Sequence, residues 1–269
     1  MSTLTERGFD WVRDLRTATL WLLGPADRLV RRLGGRAELP PLWLRRHVGP
    51  VGAFESAARD MEALLRQLHL VRETDRILEI GCGCGAMVPA FVRALGPAGR
   101  YVGFDVHAPS IRWCRRRFAA DPRFRFELAE IASPYGDPSL QRSARAYRFP
   151  LDDGCADFIL AKSVFTHLLE ADVRHYLREI RRTLRPGRLA LITAFLFDGR
   201  PPAFPFPDGE SPVRWLRRLR PEAAVAFDRG LFESMIAEAG LTLREMVPGF
   251  WPGTAPAPRG QDVLILGLC

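Results

Sequence analysis

Lysine is nearly absent from this 269-residue sequence, and arginine takes its place. Lys162 is the one lysine among 39 cationic side chains, which outnumber the 31 acidic ones and give a formal net charge of +8. A basic protein can bind nucleic acid or an anionic membrane. However, the sequence has no RNA-binding aromatic signature, no zinc-finger spacing and no recognition-helix cluster. We therefore expect a basic soluble enzyme, without nucleic acid among its partners.

Long apolar runs are missing as well, so the sequence predicts no membrane span. Charged residues within the N-terminal MSTLTERGFD argue against a signal peptide. Cysteine is scarce and odd in number, with five residues. Cys82 and Cys84 are only two positions apart, which is not a zinc spacing, and no His/Cys pair lies nearby. We expect reduced thiols, no metal site and a cytoplasmic location.

From residue 76 onward, short apolar strands alternate with helices. The predicted strands are 76–81, 101–106, 123–131, 156–161 and 189–197, followed by two tail strands that form an antiparallel edge pair. The predicted helices are 54–70, 86–95, 110–120, 170–184 and 231–239. Such alternation predicts an α/β fold, with a mostly parallel sheet that is covered by helices on both faces.

The sequence divides into an N-terminal helical cap with a connector, residues 1–52, and a main domain, residues 53–269. A Pro-rich stretch near 198–220 is expected to form a lid-like loop, because long loops in compact domains are usually functional or mobile. The cap carries a loose helical apolar stripe among arginines, which Gly24-Pro25 divides into two short helices. The stripe consists of Trp11, Leu15, Leu22, Leu29 and Leu33. Such a helix can lie on a membrane or pack over the neighbouring domain, and we favour packing.

A glycine-rich turn, Gly81-Cys82-Gly83-Cys84-Gly85, joins the first predicted strand to a helix. Glycine permits positive φ and lets a ligand approach the backbone closely. The G-x-G-x-G spacing differs from the G-x-G-x-x-G of nicotinamide-binding proteins, and no Lys-Ser/Thr pair follows as in triphosphate-binding loops. The turn therefore suits a ligand whose neutral ribose and amino-acid parts pack against bare backbone. Glu79, on the strand, can receive a ligand's ammonium group or anchor the N–H groups of the loop.

Acidic residues end the next two predicted strands. Asp105 can accept hydrogen bonds from both hydroxyls of a ribose, with an ordinary strand-end aspartate as the alternative. Glu130 can accept a hydrogen bond from an adenine amino group while Ile131 packs on the ring. Asp152 and Asp153 precede the fourth predicted strand in a turn of a kind that is usually solvated, so we expect no chemistry from them.

Chemistry is expected after the fourth predicted strand, because ligands of open α/β sheets lie beyond the carboxyl ends of the strands. The segment reads Lys162-Ser163-Val164-Phe165-Thr166-His167. His167 can take a proton from a hydroxyl or amine nucleophile, or it can tie the loop down by hydrogen bonds. Aromatic residues near 195–215 and in the cap can enclose a cationic ligand, or they can simply pack the cap onto the core.

Together these segments resemble class I S-adenosylmethionine-dependent methyltransferases. The matching stretches are LEIGCGCG, YVGFDV, LAEI, FPLDDGCADFILAKSVFTHL and LREIRRTLRPGRLALI, which span about 78–192. The resemblance implies a seven-stranded Rossmann-like sheet, with S-adenosylmethionine as the cofactor above Gly81–Gly85. The family's usual Leu-(Lys/Arg)-Pro-Gly-Gly pattern ends in Gly187-Arg188 here, which alters one turn.

The expected cofactor-binding residues are Glu79, Gly81, Gly83, Gly85, Asp105, Val106, Glu130, Ile131, Lys162 and Ser163. Asp105 matches the family's ribose-binding acid, and Glu130 matches its adenine-binding acid, which is usually Asp. His167 is the candidate catalytic residue. The implied activity is methyl transfer to a small-molecule acceptor, in secondary metabolism or envelope sugar biosynthesis. An alternative on the same fold is cyclisation or aminocarboxypropyl chemistry that releases methylthioadenosine.

Overall fold

A seven-stranded sheet forms the centre of the molecule, as seen in a computed structural model that describes residues 22–47, 53–198, 206, 212–249 and 260–269. In chain order the strands are β1 (Arg76–Ile80), β2 (Arg100–Asp105), β3 (Phe124–Leu128), β4 (Ala156–Ala161), β5 (Leu184–Ala194), β6 (Leu196–Phe197), β7 (Val213–Trp215), β8 (Val225–Asp228), β9 (Leu241–Val247) and β10 (Asp262–Leu268). The helices are α1 (Gly24–Leu33), α2 (Leu42–His47), α3 (Ala53–Gln67), α4 (Val88–Ala94), α5 (Ala108–Arg117), α6 (Glu170–Thr183) and α7 (Arg229–Glu238).

The central sheet has the strand order β3-β2-β1-β4-β5-β10-β9. Neighbours from β3 to β5 are parallel, whereas β10 is antiparallel to both β5 and β9. The predicted mostly parallel sheet and the antiparallel pair of tail strands are therefore confirmed. Because the chain reverses its direction of winding between β1 and β4, the carboxyl ends of these strands open a crevice of the kind that binds ligands in open α/β sheets.

Apolar residues on both faces of the central strands explain why the sheet is covered on both sides. Residues 77–80 of β1 and the whole of β4 are buried, as expected for parallel strands between two layers of helices. Helices α3, α4 and α5 cover one face, with Phe91 and Ile111 in that core. Helices α6 and α7 cover the other face, with Leu177 and Phe232 in its core.

Strand β5 differs from the prediction at both ends. It begins at Leu184 rather than at residue 189, so Pro186 and Gly187 lie within the strand. Gly187 has a φ of +75°, and the pairing with β4 shifts its register nearby, as proline and glycine in strands commonly require. The strand ends at Ala194, and the predicted continuation is β6, which pairs in parallel with β8 in another sheet.

That second sheet, in the order β6-β8-β7, is not predicted by the sequence. Its strands have two to four residues, which is too short for an alternating pattern to be recognised. Residues 199–205 and 207–211 of the predicted lid lie outside the described residues. Within the described part of the predicted lid, residues 213–215 form strand β7, which pairs antiparallel with β8.

Two helices of the N-terminal cap are described. Helix α1 begins at Gly24 with Pro25 in its first turn, a position that suits the fixed φ of proline, so the predicted break is a helix start. Helix α2 lies within residues 39–52, the stretch predicted as the connector, and its Leu44 packs with Phe54. Trp11 and Leu15 of the predicted stripe, and residues 48–52 at the predicted boundary, lie outside the described residues, so the division into domains stays a prediction.

Candidate functional site

The glycine turn after β1 forms the base of the site. Gly81, Gly83 and Gly85 have φ values of +69°, +53° and +84°, a region that residues with a Cβ rarely adopt. The N–H groups of Gly81 and Cys82 both donate to the carbonyl of Phe104 on β2, at 2.9 and 3.0 Å. These two hydrogen bonds to β2 fix the turn directly above the carboxyl edge of the sheet.

The same turn lies close against the segment that follows β4. A Cβ atom at Gly81 would come within 2.4 Å of Cγ2 of Val164. No ordinary side chain fits in that space, because carbon atoms pack at about 3.5–4.0 Å. Glycine at this position therefore lets the loop after β1 and the loop after β4 approach each other.

Asp105 ends β2 beside the turn and is half-buried. Its Oδ2 accepts from the N–H of Gly83 and its Oδ1 accepts from the N–H of His107, both at 2.8 Å. Burial raises the pKa of Asp105, and the backbone N–H donors oppose that rise. A carboxylate has about four lone-pair positions, so Asp105 can hold the turn and still accept hydrogen bonds from the hydroxyls of a ligand.

Glu79 lies under the turn and is almost fully buried, with 3% of its surface exposed. Its Oε2 accepts from the hydroxyl of Tyr101 on β2 at 2.6 Å. Burial raises the pKa of Glu79 to about 8, although the Tyr101 bond and the charge of Lys162 lower it. The described side-chain hydrogen bond of Glu79 thus comes from a neighbouring strand rather than from a loop N–H. A cation bound nearby would favour the ionised form of Glu79.

The segment after β4 carries an unusual backbone conformation. Ser163 has a φ of +57°, and this costs a residue with a Cβ about 1–2 kcal/mol. Its N–H donates to Oγ1 of Thr193 at 2.8 Å, and its hydroxyl donates to Oε1 of Gln261 at 3.1 Å. Gln261 also accepts from Thr193, at 2.7 Å. Strain of this kind, held by neighbouring contacts, is typical of functional sites. Lys162, just before it, is exposed.

His167 lies in a short 3₁₀ turn, Phe165–His167, and its Nδ1 atom is tightly surrounded. The hydroxyl oxygen of Tyr135 and the carbonyl oxygen of Glu222 both lie 3.0 Å from Nδ1. A carbonyl only accepts, so Nδ1 carries the proton and Nε2 carries the lone pair. Burial lowers the pKa of His167, with the nearby charge of Arg220 adding to this and the backbone carbonyls opposing it. The imidazole is therefore held neutral in one orientation.

Tyr135 is a site residue that the sequence does not reveal. Its ring lies against His167, with centroids 4.8 Å apart, and its hydroxyl donates to the carbonyls of Glu222 and Ala223 at 3.2 and 3.4 Å. The guanidinium of Arg220 lies 5.6 Å from the centre of the Tyr135 ring. Tyr135 thus joins the loop after β3 to the His167 turn and to the 3₁₀ turn before β8.

The segment after β3 lies beside the end of β2 and forms the remaining edge, or rim, of the candidate site. Ala129 donates its N–H to the carbonyl of Asp105 at 2.9 Å, which keeps the chain alongside β2. Beyond it Glu130 is exposed, whereas Ile131 is buried with 2% of its surface exposed. A Cβ atom at Gly136 would lie 2.4 Å from the carbonyl oxygen of Val106, so this loop passes directly over the end of β2.

The aromatic residues that the sequence predicts around a cationic ligand lie in several places. Phe195 and Phe206 pack together with ring centroids 5.2 Å apart, in a small cluster with Phe197. Trp43 of α2 contacts the His107 ring edge-on at 6.5 Å. Phe204, Trp11 and Trp21 lie outside the described residues. The contacts that can be seen are packing contacts.

Helix α2 adds a wall on the other side of the glycine turn. The thiol of Cys84 donates to the carbonyl of Leu44 at 3.6 Å, and Cys84 is buried between Leu44 and Phe54. Burial raises the pKa of this thiol to about 12, so it stays protonated. Within the described ranges, no cluster of His, Cys, Asp or Glu suits a metal ion, and no helix is long and apolar enough to span a bilayer.

Comparison with known proteins agrees with this geometry. Residues 78–192 match a family model described as a methyltransferase domain. The chain is 32% identical over 129 residues to a fatty-acid O-methyltransferase of Mycolicibacterium smegmatis, covering 48% of this chain and 39% of that protein. It is 28% identical over 136 residues to a demethylmenaquinone methyltransferase of Symbiobacterium thermophilum, covering 51% and 47%.

A solved structure extends the likeness over most of the chain. Geranyl diphosphate C-methyltransferase from Streptomyces coelicolor, in complex with S-adenosyl-L-homocysteine, covers 87% of each chain with a TM-score of 0.55 at 16% identity. At this identity the likeness shows the fold. The matched segment spans less than half the length of either curated relative. The family match and the shared fold confirm the resemblance that the sequence motifs indicate.

Proposed function

We propose that this chain, whose residues 78–192 match a methyltransferase-domain model, is a class I S-adenosylmethionine-dependent enzyme that methylates a small-molecule acceptor. The observation that carries the proposal is the arrangement at the carboxyl edge of β1 and β2. There a turn with three glycines at positive φ is held by the carboxylate of Asp105. This combination leaves bare backbone and an acceptor of hydrogen bonds facing one crevice.

The residues present fit S-adenosylmethionine, which, when bound, supplies a methyl group already activated by a positively charged sulfur. Asp105, with Val106 beside it, would bind the ribose hydroxyls, because its oxygens keep lone pairs beyond the two backbone bonds. Glu79, whose ionised form the ligand's ammonium group would favour, would supply negative charge toward the amino-acid end, where Gly81, Gly83 and Gly85 leave room for the ligand. The protein's part is then mainly alignment and exclusion of water.

The remaining expected contacts lie on the rim. Exposed Glu130 would accept a hydrogen bond from the adenine amino group, and Ile131 would pack beneath it. Ser163, held at positive φ, and exposed Lys162 would lie toward the methionine part of the cofactor. Each of these assignments rests on position at the carboxyl edge of the sheet, where ligands of this fold class bind.

We propose His167 as the general base for the acceptor. Its Nδ1 atom is protonated and bonded to Glu222, so the lone pair is on Nε2. Among the described residues the hydrogen bonds of the imidazole are made by Nδ1, and none is made by Nε2. A neutral imidazole that presents a lone pair can accept the proton of a hydroxyl or amine as the nucleophile attacks. Tyr135 positions that imidazole.

The acceptor class is suggested by the relatives. Among the curated relatives, fatty-acid O-methyltransferase and demethylmenaquinone methyltransferase are named for a fatty acid and a menaquinone precursor, both of which carry an apolar chain. Acceptors that bear an apolar chain are therefore the first class to test, followed by hydroxylated sugars. Secondary metabolism or envelope biosynthesis is the proposed context. The free thiols at Cys82, Cys84 and Cys114 are all buried and unpaired with one another, which supports a reducing, cytoplasmic location.

The test is product analysis with the purified 269-residue chain. It is incubated with S-adenosylmethionine and panels of fatty acids, quinols, prenyl diphosphates and hydroxylated sugars, and both cofactor products are quantified by mass spectrometry. We expect S-adenosylhomocysteine to form only with an acceptor, in equal amount to the methylated product. Methylthioadenosine released without any acceptor would refute simple methyl transfer and support aminocarboxypropyl chemistry or cyclisation instead.

A further inference from the structure

Helix α1 has its polar and apolar faces reversed relative to an ordinary surface helix. In the described residues, six large apolar side chains are exposed, and five of them lie on or directly before this helix. They are Leu22 (72% exposed), Leu23 (49%), Leu29 (58%), Val30 (69%) and Leu33 (80%). Ala26, Leu29 and Leu33 follow one another at spacings of three and four residues, which places them on one stripe of α1, and Leu22 and Leu23 directly precede the helix.

The face of α1 that packs against the protein is charged. Asp27 bonds Arg31 one turn away at 2.9 Å and Arg45 on α2 at 3.0 Å, and all three side chains are about nine-tenths buried. Asp27 also accepts from the N–H of Leu42 at 3.1 Å, and Arg31 donates to the carbonyl of Leu39 at 2.6 Å. This network fixes the helix so that its apolar stripe points outward.

Arginines line one edge of the apolar stripe. Arg28 and Arg32 of α1 and Arg116 of α5 are exposed, and together with Trp43 and Trp113 they line a cavity of about 740 Å³. No ion pair joins any of the three to an acidic side chain in the described part of the chain. Arginine binds phosphate groups through paired N–H donors, so this cavity suits an anionic headgroup.

We propose that α1 docks this chain on an anionic lipid bilayer, with Leu29 and Leu33 in the outer acyl region and Arg28, Arg32 and Arg116 at the lipid phosphates. An apolar stripe beside a basic edge is the arrangement of a helix that lies in the plane of a membrane interface. The inference is independent of the proposed methyl transfer, because none of these residues belongs to the cofactor site.

Charge favours an anionic bilayer over the two other possible partners of the apolar stripe, a second copy of the chain and residues 1–21. A second copy docked by the same stripe across a two-fold axis would bring the arginines of both copies near each other. Residues 1–21 contain three acidic and three basic residues, namely Glu6, Asp10, Asp14, Arg7, Arg13 and Arg16. That segment has no net negative charge to match the arginines, whereas an anionic bilayer provides apolar and negatively charged surface together.

The test is co-sedimentation of the 269-residue chain with unilamellar vesicles. Vesicles of phosphatidylcholine with phosphatidylglycerol are compared with vesicles of phosphatidylcholine alone, at low and high salt. We expect binding to the anionic vesicles that weakens with salt. Leu29→Glu with Leu33→Glu should lower the apparent affinity at least about 100-fold, since two leucines lose their burial. Arg28→Gln with Arg32→Gln should lower it about 30-fold on the anionic vesicles only.

Leu219→Glu is the matched control, because Leu219 is 62% exposed at a different place on the chain. It should bind vesicles like the wild type. Circular dichroism checks that every variant is folded, as expected for substitutions at exposed positions. The proposal is overturned if the wild type ignores anionic vesicles or if the Leu29 and Leu33 variant still binds them. Two other outcomes would overturn the proposal if the wild type binds no vesicles. A wild-type dimer that Leu29→Glu with Leu33→Glu abolishes would indicate a second copy on the stripe. A lower Tm of this variant than of the wild type would indicate residues 1–21 on the stripe.

Discussion

Gly81→Ala tests whether the glycine turn and the segment after β4 are as close as the structure has them. The substitution has two separable costs. At a φ of +69° a residue with a Cβ costs about 1–2 kcal/mol. The new Cβ would also lie 2.4 Å from Cγ2 of Val164, and overpacking of this kind costs about 1–3 kcal/mol. We therefore expect a loss of about 2–5 kcal/mol in the free energy of unfolding.

Gly154→Ala is the matched control for the backbone cost. Gly154 has a φ of +61°, and a Cβ atom there would meet nothing within 4 Å. Its substitution should cost only about 1–2 kcal/mol. The difference between the two variants, measured by urea unfolding monitored by circular dichroism, gives the cost of contact with Val164.

A second substitution in the same loop pair provides the rescue. Val164→Ala removes the methyl group that a Cβ at Gly81 would strike, so the double variant should recover about 1–3 kcal/mol relative to the sum of the single changes. Affinity for S-adenosylhomocysteine should fall with Gly81→Ala and partly return in the double variant. The reasoning is wrong if Gly81→Ala costs no more than Gly154→Ala, or if the two changes are additive within about 0.5 kcal/mol.

Three further predictions concern the titrating groups Glu79 and His167 and the Tyr135 side chain beside His167. The pKa of Glu79 is raised from 4.5 to about 8, so the folded protein keeps a proton that the unfolded chain releases. Stability should therefore fall as pH rises between these values, by up to about 5 kcal/mol. Glu79→Gln should flatten that slope in urea melts, and an unchanged slope would contradict the prediction. His167→Ala should lower kcat by about 100-fold or more and remove the acidic limb of the pH–rate profile, which lies below the ordinary imidazole pKa because burial lowers the pKa of His167. Tyr135→Phe should lower kcat about tenfold and keep that limb. If both variants instead raise KM and lower the free energy of unfolding, with no change in the pH profile, His167 and Tyr135 have a structural role.

The features that the sequence predicts best are those carried by neighbours in the chain. The glycine turn and the acid that ends β2 can be read from the spacing of residues, because each lies at the end of a strand with an apolar pattern. The alternation of strands and helices likewise predicts the mostly parallel sheet. The extent of β5 is missed because Pro186 and Gly187 indicate a turn, whereas the register shift beside β4 accommodates both inside a strand.

Contacts between distant parts of the chain are not predicted, because no local pattern records them. Gln261 reaches Ser163, which is 98 residues away, and Tyr135 contacts His167 from a loop after β3. Glu79 is predicted to face the loop or a ligand, yet its described bond is to Tyr101 on the next strand. The sequence does not predict the outward orientation of the apolar face of α1 for the same reason, because the charged network that fixes this orientation includes Arg45 on another helix.

The most direct test of the account is calorimetric titration of the wild-type protein with S-adenosylhomocysteine, alongside Asp105→Ala and the control Asp153→Ala. Asp153 is an exposed aspartate that pairs with Arg148 and Arg182, away from the glycine turn. We expect one binding site in the wild type and in Asp153→Ala, and an affinity about 100-fold lower in Asp105→Ala, since at least two hydrogen bonds to a charged group are lost. No binding by the wild type, or equal affinity in all three proteins, would contradict the assignment of the cofactor site.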